Sequence, residues 1–182
     1  MSGPHPALAL SVFTLALVAA ISDFRTGLIP NRLVGPAFVV VFGLRVGLAL
    51  LDRQQSLGMS LTFFTLGLLI AGLIPLTLYL CRALGGGDVK LLAVCGAGLG
   101  PVHALEAELY AFGFGALYAL GHAAFGGVLW QTLRGSAVLM TNPLIPRRLR
   151  KPVPLAAQRP LPFGPAICVG VLCAIALHWN LG

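Results

Sequence analysis

The chain has 182 residues, of which 58% are hydrophobic and 9% charged, and its mean hydropathy is +0.93. A soluble domain is usually about a quarter charged, so this composition excludes a water-soluble globule and predicts an integral membrane protein. The net charge of +7 does not indicate a nucleic-acid partner, because the basic residues fall in the breaks between apolar runs. Basic residues in such breaks indicate how the chain is oriented in the membrane. We therefore expect no nucleic acid to bind.

Six apolar runs follow one another along the chain. Each is continuous rather than alternating, so we expect helices, which satisfy their own backbone groups in lipid. A span needs roughly 20 residues, so the length fits one membrane-embedded domain over residues 1–182, an all-α bundle of about six transmembrane helices. The runs are approximately Pro6–Ile21, Leu33–Leu51, Leu61–Leu80, Val89–Leu99, Leu109–Trp130 and Phe163–Trp179.

The first run resembles a secretion signal in length, but no Lys or Arg precedes it. A signal peptide begins with a basic region, so we expect this run to be a retained first span. Later breaks are predicted at 81–87, which is glycine-rich, and at 131–162, which is basic and proline-rich. A turn before the fifth run is expected at Gly100-Pro101 with Glu106 and Glu108.

The basic residues predict the orientation of the bundle. If the N-terminus lies outside, the breaks after the first, third and fifth runs share one face, and the opposite face holds only Arg53. Basic residues concentrate on the cytoplasmic side, so the richer face is expected to be cytoplasmic, and both Asp23 and Asp88 fall on it. That face carries Arg25, Arg32, Arg82, Lys90, Arg134, Arg147, Arg148, Arg150, Lys151 and Arg159.

Two of the five acidic residues stand directly beside apolar runs: Asp23 closes the first and Asp88 opens the fourth. An ionisable side chain at a membrane span is costly and therefore a functional candidate, although an aspartate there can also be a helix cap. Two neighbouring carboxyl groups share one proton. Such a pair can hydrolyse a peptide: the ionised acid takes a proton from water, and the protonated acid donates one to the substrate.

The string Gly85-Gly86-Gly87-Asp88 is a GxGD pattern. Glycines lack a Cβ, so an extended substrate peptide could approach the backbone closely here. Lys90 either favours ionisation of Asp88 or extends to lipid phosphate.

Two alternative roles remain open for Arg45 and for the basic cluster of segment 131–162. Arg45, inside the second run, either extends toward the interface or supplies a counter-charge inside the bundle. The basic cluster in segment 131–162 either fixes topology or also binds anionic lipid, with about 1 kcal/mol per charge. The members of that cluster are Arg147, Arg148, Arg150 and Lys151.

Neither the cysteines nor the histidines form a recognised metal-binding pattern. There is no CxxC pair and no HExxH, so we expect no metal and no cofactor. The cysteines are read as packing residues. The residues concerned are Cys81, Cys95, Cys168, Cys173, His5, His103, His122 and His178.

In combination, three strings resemble the type IV prepilin peptidases over nearly the whole chain. They are Asp23 with Ile29-Pro30-Asn31, then Gly85-Gly86-Gly87-Asp88-Val89-Lys90, and then Leu161-Pro162-Phe163-Gly164-Pro165-Ala166 before the last run. The resemblance implies a GxGD membrane aspartyl endopeptidase of the inner (cytoplasmic) membrane, with Asp23 and Asp88 catalytic and no cofactor. It also implies a substrate, the prepilin or pseudopilin precursor, whose basic leader is removed at the cytoplasmic face.

Larger members of that family carry an additional domain with paired CxxC motifs and also methylate the new pilin N-terminus. This sequence lacks those motifs and resembles the compact members that serve Flp/Tad-type pili, so methyltransferase activity is not expected. Two other classes remain as alternatives: a small proton- or ion-coupled transporter, and a non-catalytic membrane protein of pilus or secretion assembly. A transporter would favour acids near the bilayer midplane rather than near one face.

Overall fold

The computed structural model describes residues 4–51, 56–127, 129–141 and 162–179, and in these ranges the chain forms seven helices and no strand. This confirms the predicted all-α class. Three helices, α1 to α3, are long and apolar enough to cross a membrane, and α7 is a shorter apolar helix. The helices are α1 Pro6–Thr26, α2 Asn31–Leu51, α3 Leu57–Leu80, α4 Gly86–Leu99, α5 Pro101–Phe125, α6 Leu129–Thr141 and α7 Gly164–Trp179.

Several helix boundaries differ from those that the sequence suggested, and α6 occupies the start of segment 131–162, where a break was expected. Helix α1 continues past Ile21 to Thr26, so Asp23 lies inside its last turn, and Gly27 caps it with a φ of 66°. The turn expected around Glu106 and Glu108 is wrong: α5 already begins at Pro101, and both glutamates lie within it. Gly100 alone separates α4 from α5, and its φ of 84° is a conformation that glycine adopts without strain.

Helix α4 lies at the centre of the bundle and contacts α1, α2, α3 and α5. Its residues from Val94 to Leu99 are all buried. Small residues permit this close packing: a Cβ on Gly96 would overlap Gly67 of α3, and a Cβ on Gly98 would overlap Val12 of α1. Helices in lipid associate through such close backbone approaches, so these glycines hold the short α4 inside the bundle.

Helix α7 packs between α1 and α5. At its middle, Gly170 lies against the α5 backbone at Ala107 and Ala111. Just before its start, the ring of Phe163 stacks on Phe112 of α5, with the centroids 5.5 Å apart. The N-terminus of α7 is thereby fixed in position against α5.

The outward surface of the long helices is strongly apolar. Phe24 is 74% exposed, Leu51 82% and Leu73 65%. Water-facing surfaces rarely carry so many large apolar side chains, whereas lipid-facing surfaces require them. These helices therefore support a membrane protein. The basic cluster of segment 131–162, together with any lipid contact that it makes, lies outside the described residues.

Arg45 points into the bundle rather than only toward the interface. Its Nε and Nη2 donate to the carbonyl oxygens of Ala97 and Gly98, at 3.4 and 3.3 Å. These carbonyls belong to the last turn of α4, where backbone oxygens have no partner within the helix. A cation at a helix C-terminus is also favourable for the helix dipole. Arg45 is thus a side-chain cap of α4.

We expect Arg45→Met to lower the free energy of unfolding by about 1.5–3 kcal/mol, the range for hydrogen bonds made by charged groups. Thermal unfolding in detergent, followed by thiol labelling of the buried Cys95, measures the change. Arg134→Met, at an exposed position of α6, is the control. Equal stability of Arg45→Met and the unmutated chain would show that the cap contributes nothing.

Candidate active site

Four helix ends meet at one end of the bundle. The end of α1 lies beside the start of α7, and the start of α4 lies beside the α1–α2 loop and the start of α2. Asp23 comes from α1 and Asp88 from α4. The structure therefore brings both candidate acids to the same end of the bundle, which we call the Asp23 end.

Asp23 is buried, with 6% of its surface exposed. Its Oδ2 accepts a hydrogen bond from the backbone N–H of Gly164 at 2.7 Å. Gly164 is the first residue of α7, where backbone N–H groups have no partner within the helix. This bond fixes the direction of the Asp23 carboxyl group.

Only glycine fits at position 164. A Cβ there would lie 2.8 Å from Cβ of Asp23, 3.0 Å from its Oδ2 and 3.2 Å from Cα of Ala20. Gly164 belongs to the motif string before the last helix, but the sequence alone indicates no role for it. A glycine at the start of the last apolar run was the available signal. Its partner lies 141 residues away, so no local pattern could reveal it.

Asp88 is the third residue of α4 and is half-buried. Its carboxyl group lies beside Gly85, the N-cap residue of the same helix. Asp88 is therefore placed at the start of α4, at the same end of the bundle as Asp23.

The glycines before Asp88 bring the start of α4 close to its neighbours. A Cβ on Gly87 would lie 3.0 Å from Cβ of Ile29, and one on Gly86 would lie 3.3 Å from the ring of Tyr79. A Cβ on Gly85 would lie 2.9 Å from Oδ2 of Asp88. These contacts explain the glycines within the chain itself, and their predicted part in substrate approach stays a prediction.

Lys90 is exposed, and its Nζ donates to Oδ1 of Asn31 at 2.9 Å. The bond joins the first turns of α4 and α2, so the Ile29-Pro30-Asn31 string and the GxGD string are in contact. The sequence suggests Asp88 or lipid phosphate as the partner of Lys90, whereas in the structure its partner is Asn31.

A groove of about 370 Å³ lies beside Lys90, between α2, α3 and α4. Its polar groups, Asn31 and Lys90, belong to the first turns of their helices, at the Asp23 end. The rest of the lining is apolar or small. The groove therefore offers a mainly apolar surface along α4, beginning at Lys90. The lining residues are Asn31, Val34, Gly35, Phe38, Leu68, Lys90, Ala93 and Val94.

The fold and the site together describe a helical membrane protein with two aspartates at one end of its bundle. The profile of the type IV leader peptidase family matches residues 10–120, a range that includes Asp23 and Asp88. The chain therefore belongs to the type IV leader peptidase family.

One curated relative is the prepilin leader peptidase/N-methyltransferase of Bacillus subtilis (strain 168). It is 29% identical over 166 residues, which cover 91% of this chain and 54% of the relative. The chain thus spans about half the length of this relative. No solved structure matches the chain.

Proposed function

We propose that the chain is an aspartyl endopeptidase that removes the leader peptide from type IV prepilins or pseudopilins of the Flp type. Asp23 and Asp88 activate the attacking water. The observation that carries this proposal is that both acids lie at the same end of the bundle, with Asp23 oriented by the N-terminus of α7. Family membership supplies the reaction class.

Each of the two carboxyl groups carries out a different proton transfer during hydrolysis. One, ionised, accepts a proton from water, and the other, protonated, donates to the carbonyl oxygen or to the departing amine. The shared proton belongs to the pair rather than to either residue. Gly164 is a positioning residue, since it bonds Asp23 and does not itself transfer a proton.

The proposed location is the inner (cytoplasmic) membrane, with the N-terminus outside and the Asp23 end facing the cytoplasm. The charge asymmetry of the sequence supports this orientation. A cytoplasmic site would meet the precursor where its basic leader joins its apolar segment. The basic cluster Arg147, Arg148, Arg150 and Lys151 is proposed to contact anionic lipid on the same side.

The apolar groove is proposed to hold the apolar segment of the precursor. We expect Gly35→Leu to raise KM about tenfold with little change in kcat, since it would fill space that one buried apolar side chain would otherwise occupy. No atom lies within 4 Å of a Cβ built at Gly35, so the folded chain accommodates the change. Initial cleavage rates over a range of precursor concentrations measure both constants.

Gly43→Leu is the matched control, because Gly43 also lies on α2, is equally open and does not line the groove. A normal KM for Gly35→Leu, or the same rise for Gly43→Leu, would exclude the groove as the substrate site.

The direct test of the function is incubation of the chain, reconstituted in liposomes, with candidate pilin precursors. The expected result is a shorter product that has lost the basic leader. Proton or cation flux through the liposomes without any cleavage would support the transporter alternative. Pilus assembly that continues when both aspartates are replaced by asparagine would support the non-catalytic alternative.

A further inference from the structure

A second cluster of ionisable side chains lies between α5 and α7. His178 Nε2 and Glu106 Oε2 are 2.7 Å apart. The ring of His103 meets that of His178 edge to face, with centroids 4.5 Å apart. One ring nitrogen of each histidine and one carboxylate oxygen of Glu106 all lie within 4.8 Å of one another. We call these three residues the His–Glu cluster.

His103 contributes an unusual feature to the cluster. Only 9% of its surface is exposed, and its Nε2 is buried without a hydrogen-bond partner among the described residues. A buried polar atom without a partner is costly and requires an explanation. Since a neutral imidazole nitrogen is the commonest metal ligand in proteins, a metal ion would satisfy it.

The cluster is separate from the candidate active site. It lies at the end of α7 opposite Gly164, and His178 is 14 positions after Gly164 in the sequence. At 1.5 Å per residue, this separation is about 21 Å along the helix. A metal ion here would not touch the Asp23 and Asp88 carboxyl groups.

We propose that the His–Glu cluster binds one divalent transition-metal ion, with zinc as the best-fitting ion. Two imidazoles and one carboxylate form a ligand set that zinc accepts, with a fourth position left for water. Zinc–ligand bonds of about 2.0–2.1 Å place tetrahedral ligands roughly 3.4 Å apart. The ligand atoms now lie within 4.8 Å of one another, so binding would require side-chain rotation that brings them closer.

Metal binding would take the place of the His178–Glu106 contact. It would link the first turns of α5 to the last turn of α7. Since α7 is bonded to Asp23 at its other end, the link would fix the helix at both ends. The expected effect is stabilisation of the bundle, with no part in peptide hydrolysis.

The test uses the full chain, purified in detergent, stripped with a chelator and titrated with zinc chloride. Calorimetry and elemental analysis after desalting are expected to give one zinc per chain, and zinc is expected to raise the melting temperature. X-ray absorption is expected to show nitrogen ligands at about 2.0 Å. His103→Gln, His178→Gln and Glu106→Gln should each weaken binding by at least about tenfold.

His122→Gln is the matched control, because His122 is exposed and lies near the other end of the same helix. Circular dichroism checks that each variant is folded. Absence of zinc binding by the unmutated chain would overturn the proposal. Unchanged affinity in folded His103→Gln and His178→Gln, or an equal loss in His122→Gln, would also overturn it.

Discussion

Asp23→Asn and Asp88→Asn are each expected to reduce precursor cleavage by at least about a thousandfold, within the range that general acid–base catalysis contributes. Asparagine has nearly the shape of aspartate, and its amide oxygen can still accept the Gly164 N–H that Oδ2 of Asp23 accepts now. What it loses is the ability to take up or release a proton. The loss should therefore appear in kcat, with melting temperature and membrane insertion little changed.

Single-turnover cleavage in liposomes measures this effect, and Glu108→Gln is the matched control. Glu108 is a buried acid of α5, 2% exposed, and its carboxyl oxygens have no hydrogen-bond partner among the described residues. The same acid-to-amide change there should leave cleavage near normal. If Glu108→Gln abolished cleavage while either aspartate variant retained it, the assignment of the acid pair would be wrong.

Gly164→Ala is expected to lower kcat by about a hundredfold, the effect that a displacement of roughly 1 Å can have on catalytic geometry. The new methyl group would lie 2.8 Å from Cβ of Asp23, so either the start of α7 or the Asp23 side chain must move. Overpacking of this kind also costs about 1–3 kcal/mol of stability. Cleavage kinetics and thermal unfolding measure the two effects separately.

Gly113→Ala is the control for this substitution, because no atom lies within 4 Å of a Cβ built at Gly113 of α5. It should leave both cleavage and stability nearly unchanged. A Gly164→Ala variant with normal kcat would show that the contact between α7 and Asp23 does not position the acid.

The sequence predicts the helical class and the approximate positions of the apolar helices well, because each membrane span consists of a local run of apolar residues. It also draws attention to Asp23 and Asp88, since acids are rare beside such runs. The residues at which helices begin and end are harder to predict from the sequence than the helices themselves. The break at Gly100 depends on a single residue with a φ of 84°, and α5 continues through Glu106 and Glu108, which looked like part of a turn.

Contacts between distant residues could not be predicted. Gly164 and Asp23 are 141 residues apart, and His178 and Glu106 are 72 apart. The histidines appeared scattered along the chain, but the antiparallel packing of α5 on α7 brings His103 and His178 together. Likewise, the partners of Arg45 are carbonyls of α4, which no side-chain pattern in the sequence identifies.

The most direct test of the shared role of the two acids is a double-mutant cycle with the Asp23→Asn, Asp88→Asn and combined variants. Each residual single-turnover rate would be measured at high enzyme concentration. If one water is activated by both carboxyl groups, the combined variant should be about as slow as either single variant, because residues that act as a unit have non-additive effects. Losses that multiply in the combined variant, or a combined variant that cleaves as fast as the unmutated chain, would contradict a joint catalytic site.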